Sequence, residues 1–518
     1  MTESRSFSWI AAAVLFVVLL PGGELARAAT PVASPAALTM AAELAPVVPE
    51  YQQAFAARMS SMPSYALDLT LDDAQSTIGG TMLVTFPNET GMTIDSLPFR
   101  LYPNASYYGE GETSIQALSI EGAAIPPRFD DSGTVLFVDL PRPLLPGASI
   151  EIEMDFTTVI PSNANGSFGI LNHDLNTEKF VLADWYPIVA GWDETGWRLE
   201  APTDQGDPTF SETSLYDVRL ALPNGYEVVA SGDESPLPDG SVHIESGPVR
   251  EFAMVVSRGL QTISGQAGDT TISVHVDPAH AANGQHMLDI AISALDFYND
   301  AFGQYPFREL DIVETNLSLA YGVSWSGMLF INQSQLDLAP DNLTTLDFTI
   351  FHEIGHQWWG AAIGANSNDH TFMVEGLTNA TALLAQAAVQ GPDAAVNSLY
   401  GWIVTPYLNL LAGPGDAVAD ISIFGQPATA PLSTLAYGKG ALGFLAIRNR
   451  IGNDAFVAGL AAYADQFRLG IAEPDDLLAA FETASGESLQ DLWSFWFDSA
   501  QTTPGDIEAL VPQIIASL

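Results

Sequence analysis

His352-Glu353-Ile354-Gly355-His356, followed by Glu375, decides how this 518-residue chain is read. The two histidines stand four residues apart, so on a helix they share a face and both can reach one ion. Glu375 lies nineteen positions beyond the second histidine and offers a third ligand. A catalytic zinc takes three protein ligands and keeps one position open for water, and His352, His356 and Glu375 supply that set. Glu353 falls beside that water rather than on the ion, which is the place of a general base. The pattern implies a zinc hydrolase acting on peptide bonds.

Context supports the motif. The apolar run 346–351 and Gln357-Trp358-Trp359 predict one continuous helix around the histidines. Asn342 and Thr344 offer N-cap oxygens near its start. A second helix-like stretch opens at Glu375-Gly376-Leu377 and runs through Asn379-Ala380-Thr381-Ala382-Leu383-Leu384. A helix can carry two histidines for packing alone, but only eight occur in the whole chain. Two adjacent helices presenting three ligands is the geometry the chemistry requires.

The run from His352 to Gly360, with Trp358 in place and Glu375-Gly376 beyond it, resembles the M1 family of gluzincin metallopeptidases. That family, best known for zinc aminopeptidases, carries H-E-x-x-H-x-W-x-G and then a glutamate at this spacing; the thermolysin family sets its third ligand one residue further on. Tyr437-Gly438-Lys439-Gly440 is similar to the family's Y-x-K-G. By that resemblance Tyr437 donates a hydrogen bond to the tetrahedral oxyanion. The stretch 305–313 resembles the family's Y-P-x-x-x-L-D-I-V, and Asp184-Trp185-Tyr186-Pro187 through Gly191-Trp192 resembles a segment of divergent bacterial members. Leu492-Trp493-Ser494-Phe495-Trp496 is similar to the closing helix of the catalytic domain. The resemblance implies an α+β chain whose second half is a thermolysin-like, mainly helical catalytic domain, with one zinc ion as cofactor and a peptide as substrate. The long C-terminal helical domain of larger members is not matched, so a more open site is expected.

One departure bears on specificity. The family's G-x-M-E-N motif carries a glutamate that binds the free amino terminus of the substrate. Here the corresponding stretch is Tyr321-Gly322-Val323-Ser324-Trp325-Ser326-Gly327-Met328, and alignment on Gly322 and Gly327 places Ser324 where the glutamate should be. A hydroxyl offers an ammonium no full negative charge, and a charge-assisted hydrogen bond is roughly twice as strong as a neutral one. Glu314, or a carboxylate from the N-terminal half, is the candidate substitute. Ala361 and Val374 stand where the family commonly has Asn or Asp, which predicts altered tuning of the metal. Two further readings follow: a zinc peptidase that needs no free amino terminus, and a non-catalytic binding protein on the same fold. The presence of His352, Glu353, His356, Glu375 and Tyr437 together weighs against the last.

Composition bounds the rest. Short alternating runs such as 65–71, 81–86, 135–140 and 150–156 predict a β-rich sandwich or saddle over 47–259. Helical spacing over 287–302, with Leu288, Ile292, Leu295 and Phe302 as core positions, opens the catalytic domain at 260–500, and 501–518 reads as a tail. Strands are expected at 310–313 and 328–331. Arg5, the apolar run 9–20 and Ala26-Arg27-Ala28 read as an export signal over 1–28, with an Ala/Pro-rich lead-in at 29–46. The expectation is a secreted or extracytoplasmic protein with no membrane span beyond that segment, which is either cleaved or kept as an anchor. There is no cysteine, which excludes disulfides, a thiol nucleophile and thiolate ligation. The net charge is −46, from 62 acids against 16 bases. That balance suits salty or acidic surroundings and leaves too few bases to hold nucleic acid. Asn-x-Ser/Thr sequons occur, for example at Asn88 and Asn165, and matter only if the host glycosylates.

Overall fold

The computed structural model describes residues 56–162, 168–206, 209–339, 342–424 and 432–518. The segments read as export signal and lead-in, and Asn165, lie outside them. The four runs expected as strands fall within Ser64–Asp72, Thr77–Pro87, Val135–Leu144 and Ser149–Val159. In Ser64–Asp72 the alternation is literal: Leu67, Leu69 and Leu71 are buried while Asp68, Thr70 and Asp72 face solvent. That strand sits inside an eight-stranded sheet, antiparallel to Thr77–Pro87 and parallel to Ser214–Ala221. Two four-stranded sheets and a two-stranded hairpin accompany it. Asn88 is fully buried, its amide donating to the carbonyls of Met92 (2.8 Å) and Leu144 (3.0 Å). It holds a turn and is not presented as a glycan acceptor.

The pattern changes beyond Gly259. A five-stranded sheet follows in the order Gln261–Ala267, Thr270–Val276, Glu309–Thr315, Met328–Asn332, Gly322–Trp325. Its three middle strands are parallel, and helix Ala281–Phe302 links the first of them to the second. Leu288, Leu295 and Phe302 are buried as expected, and Ile292 packs partly buried against the core. A tight turn at Ser326-Gly327 lays Gly322–Trp325 antiparallel along the edge of the sheet. From Thr344 onward the chain is mostly helical, through to helix Pro504–Ser517, which buries Ile507, Leu510, Val511 and Ile514.

One hydrophobic core runs through both halves. A smaller cluster joins Val181 and Val255 of the N-terminal half to Val313, Trp325 and Phe330 of the five-stranded sheet. Each fully buried side chain of this kind contributes about 1.5–3 kcal/mol, so the edge strand is seated on the N-terminal half rather than merely adjoining it. Among the described residues, no helix is long and apolar enough to cross a membrane.

Candidate metal centre and active site

Helix Thr344–Gly355 carries His352 and Glu353 and ends just before His356, short of the continuous helix to Trp359 that the sequence predicts. Beyond Gly355 the bonds tighten, Gln357 N–H to Ile354 C=O and Trp358 N–H to Gly355 C=O, both at 3.0 Å. The two indoles explain the break. Trp358 Nε1 donates to the Gly303 carbonyl and Trp359 Nε1 to Thr381 Oγ1, each at 3.0 Å, so neighbouring residues must face different partners. The expected N-cap also differs. Leu343 holds that position without a side-chain bond, its own side chain buried, and Thr344 is already helical.

The second ligand segment begins as a π turn, Phe372–Gly376, and continues as helix Leu377–Gln390. It brings Glu375 Oε2 to 3.3 Å from His352 Nε2 and 3.2 Å from His356 Nε2. One ligand atom from each of the three residues lies within 4.8 Å of the others.

Second contacts fix the imidazoles. His352 Nδ1 meets Asn379 Oδ1 at 2.9 Å, and the same amide donates through Nδ2 to the Tyr437 carbonyl at 3.0 Å. His356 Nδ1 meets the Trp359 carbonyl at 3.1 Å. Both acceptors require Nδ1 to carry the proton, so in the neutral tautomer each Nε2 turns a lone pair toward Glu375. Glu375 Oε2 is buried without a hydrogen-bond donor. Three lone-pair donors facing one small space fit a divalent cation. Electrostatics agree. Burial opposes charge on His356, yet the Glu375 carboxylate overrides it and holds the imidazole up to about 9. Burial likewise works against the Glu375 anion, but His356 and His352 hold its carboxyl well below the usual range. Charges that favour a proton between these groups favour a metal ion in its place.

Ala361 and Val374, the two apolar departures near the ligands, contribute no such bond; Asn379 and the Trp359 carbonyl supply the orientation. Asn379 was legible in principle, since it follows Glu375 by four residues and shares its helical face. Asn379→Ala is expected to weaken metal binding by about 10- to 100-fold, read by competition with a chelator. Unchanged affinity would mean that His352 needs no anchor.

Glu353 is buried, and burial pushes its carboxyl up against the opposing pull of His352 and His356. Its side chain lies on the edge strand at Gly322, where a Cβ would stand 2.6 Å from Glu353 Oε1. Only glycine leaves that carboxylate its place. Tyr437 sits on another π turn, Thr434–Lys439, with its ring stacked on His352 at 5.9 Å and 18°. Two glycines permit this approach: a Cβ at Gly376 would lie 2.8 Å from the Ala436 carbonyl and 3.0 Å from Gly440 Cα. The two helices therefore cross nearly backbone to backbone.

The three residues read as substrate-binding are distributed along the edge hairpin. Asn332 N–H donates to the Tyr321 carbonyl at 2.9 Å, and pairing alternates along an antiparallel ladder. Gly322 and Ser324 therefore turn their own N–H and C=O groups to the open edge. The Ser324 hydroxyl accepts from Gln357 Nε2 at 2.6 Å. Gly327 lies in the turn, its N–H donating to Gln357 Oε1 at 2.9 Å. Gln357, one residue past a ligand, thus sets the distance between the edge strand and the metal helix. Glu314, named as a substitute amine anchor, is committed elsewhere: it is buried against His280 Nδ1 (3.0 Å) and the Asp277 N–H (2.8 Å), with Lys179 at 3.7 Å.

Residues 286–496 match the peptidase family M1 domain. Aminopeptidase M1-B of Oryza sativa subsp. japonica is 23% identical over 368 residues, covering 67% of this chain and 40% of that protein. Aminopeptidase N of Lactobacillus delbrueckii subsp. lactis is 26% identical over 405 residues, covering 74% and 46%. The chain thus spans less than half the length of these curated relatives. The crystal structure of an M1 zinc metallopeptidase mutant from Deinococcus radiodurans shares the fold, with a TM-score of 0.60 at 17% identity, over 86% of this chain and 95% of that one. The matched segment takes in both helices that carry the three donors, the edge strand and the Tyr437 turn, so the likeness to the peptidase family M1 domain covers the whole of the candidate site.

Proposed function

We propose that the chain is a zinc peptidase in which His352, His356 and Glu375 hold a single zinc ion. The observation that carries this reading is the meeting of three oriented donor atoms within 4.8 Å, with Glu353 and Tyr437 beside them. Zinc, when bound, supplies a Lewis acid for the scissile carbonyl and lowers the pKa of water. Glu353 accepts the proton that the attacking water loses and returns it to the leaving amine. The Tyr437 hydroxyl donates a hydrogen bond to the oxygen on which negative charge develops. Gly322 and Ser324 offer main-chain groups to an extended peptide, which adds to the sheet as a further strand.

The relatives, aminopeptidases by name, support cleavage from a free amino terminus. A second reading, hydrolysis without that requirement, is favoured by Ser324, whose hydroxyl is already engaged by Gln357. A comparison of free-amino and N-acetylated versions of one fluorogenic peptide library, with and without chelator, separates the two. Chelator-sensitive cleavage confined to free amino ends supports an aminopeptidase. Comparable cleavage of blocked peptides supports the second reading, and cleavage indifferent to chelator overturns both. We also propose export, on the strength of the Arg5, 9–20 and Ala26-Arg27-Ala28 pattern. Terminal sequencing of the secreted protein should begin at Ala29, and a full-length chain retained in the cell would contradict it.

A further inference from the structure

Lys439 has no exposed surface. Its ammonium donates to both oxygens of Asp416 (3.0 and 2.9 Å), to the Ala417 carbonyl (2.6 Å) and to the Ser499 carbonyl (2.5 Å). Asp416 in turn accepts from the Tyr407 hydroxyl (2.7 Å) and the Thr502 N–H (2.8 Å). Four stretches of chain meet at this one ion pair: the Tyr437 turn, helix Thr405–Ala412, the 413–420 connection and the 499–502 segment. Immediately beyond, Thr503 and Asp506 form the capping box of helix Pro504–Ser517. The same segment also reaches the third ligand. Phe497 stacks on Phe372, the first residue of the Glu375 turn, at 4.6 Å and 30°, and its carbonyl accepts from Ala419 and Asp420.

Lys439 closes the π turn that holds Tyr437. A π turn is an inserted residue in an α-helix, and reversion to regular winding turns the residues on one side by about 100° relative to the other. Something must hold the wide turn open. Asn379 fixes its Tyr437 carbonyl, and Lys439 fixes its end. An apolar side chain of the same length would fill the space but leave Asp416 and two carbonyls without their donor. We propose that Lys439 is a positioning residue for the Tyr437 hydroxyl, and that docking of the C-terminal segment 499–517 through Asp416 completes the active site. The proposal rests on the reading of Tyr437 as the oxyanion donor.

A double-mutant cycle on the full chain tests it, with Lys439→Met and Tyr437→Phe made singly and together. Lys439→Met is expected to lower kcat about 10- to 100-fold, within what loss of such a donor costs, with KM and bound zinc unchanged. In the Tyr437→Phe background the same substitution should cost less than about twofold, because residues that act as a unit are not additive. Equal losses in both backgrounds would make Lys439 a general support of the fold and overturn the proposal. So would an unchanged kcat in folded Lys439→Met. If Lys439→Met does not fold, Asp416→Asn, which keeps the shape and removes the charge, takes its place under the same criteria. Full activity of Tyr437→Phe would overturn the reading of Tyr437 itself, which distinguishes the two failures.

Discussion

Glu353→Gln is expected to keep the metal and lose about 10²- to 10⁴-fold in kcat, the range of positioned proton transfer. Glutamine matches the shape of glutamate and preserves the contact with Gly322, so substrate alignment along the edge strand is retained. What disappears is the capacity to accept a proton. Glu353 is not among the three donor atoms of the metal centre, so zinc content should equal that of the parent chain. Replacing a buried carboxylate with a neutral amide also removes the cost of burying charge, so the melting temperature should not fall. Kinetics, metal analysis and a thermal melt together decide the matter. A variant that holds zinc and works within tenfold of the parent would end the assignment of Glu353 as the base.

Tyr437→Phe ranks second, with kcat expected to drop by about 10²- to 10³-fold, as for loss of one oxyanion donor. The ring remains, and with it the stacking on His352 at 5.9 Å. Metal binding and folding should therefore be untouched. The hydroxyl acts on charge that develops only as the reaction proceeds, so KM should stay within about twofold. A raised KM with kcat intact would place Tyr437 in ground-state binding instead.

The shared face of His352 and His356 was legible because a helix converts a spacing of four into neighbours, whereas Glu375 meets them only through the packing of a second helix. The strands around Leu67 and Ile152 were legible for the matching reason, a period of two that separates core from solvent. Helix Thr344–Gly355 was overextended because Gln357, Trp358 and Trp359 suit a helix locally; the end is imposed by Gly303 and Thr381, distant carriers of the indoles' acceptors. For Asn379 the spacing from Glu375 gave the face, but its two partners, His352 and the Tyr437 carbonyl, come from distant parts of the chain. The glycines 376 and 440 gave no local sign of their crossing, because each answers to the other across the fold rather than to its neighbours in sequence. At Asn88 the sequon is present but the side chain is buried. Its tripeptide describes a surface chemistry, and burial cancels it.

The chain contains only two lysines, Lys179 and Lys439, and the fold buries both, the first against Glu314 and the second against Asp416. Every exposed side-chain cation other than histidine is therefore a guanidinium, which stays charged at all working pH values. No lysine amine is offered to acylating labels, aldehyde cross-linkers or lysine-directed proteases while the fold is intact. Covalent capture at either lysine thus becomes a clock for opening: Lys439 reports release of the C-terminal segment from the Tyr437 turn, and Lys179 reports separation of the N-terminal half from the five-stranded sheet.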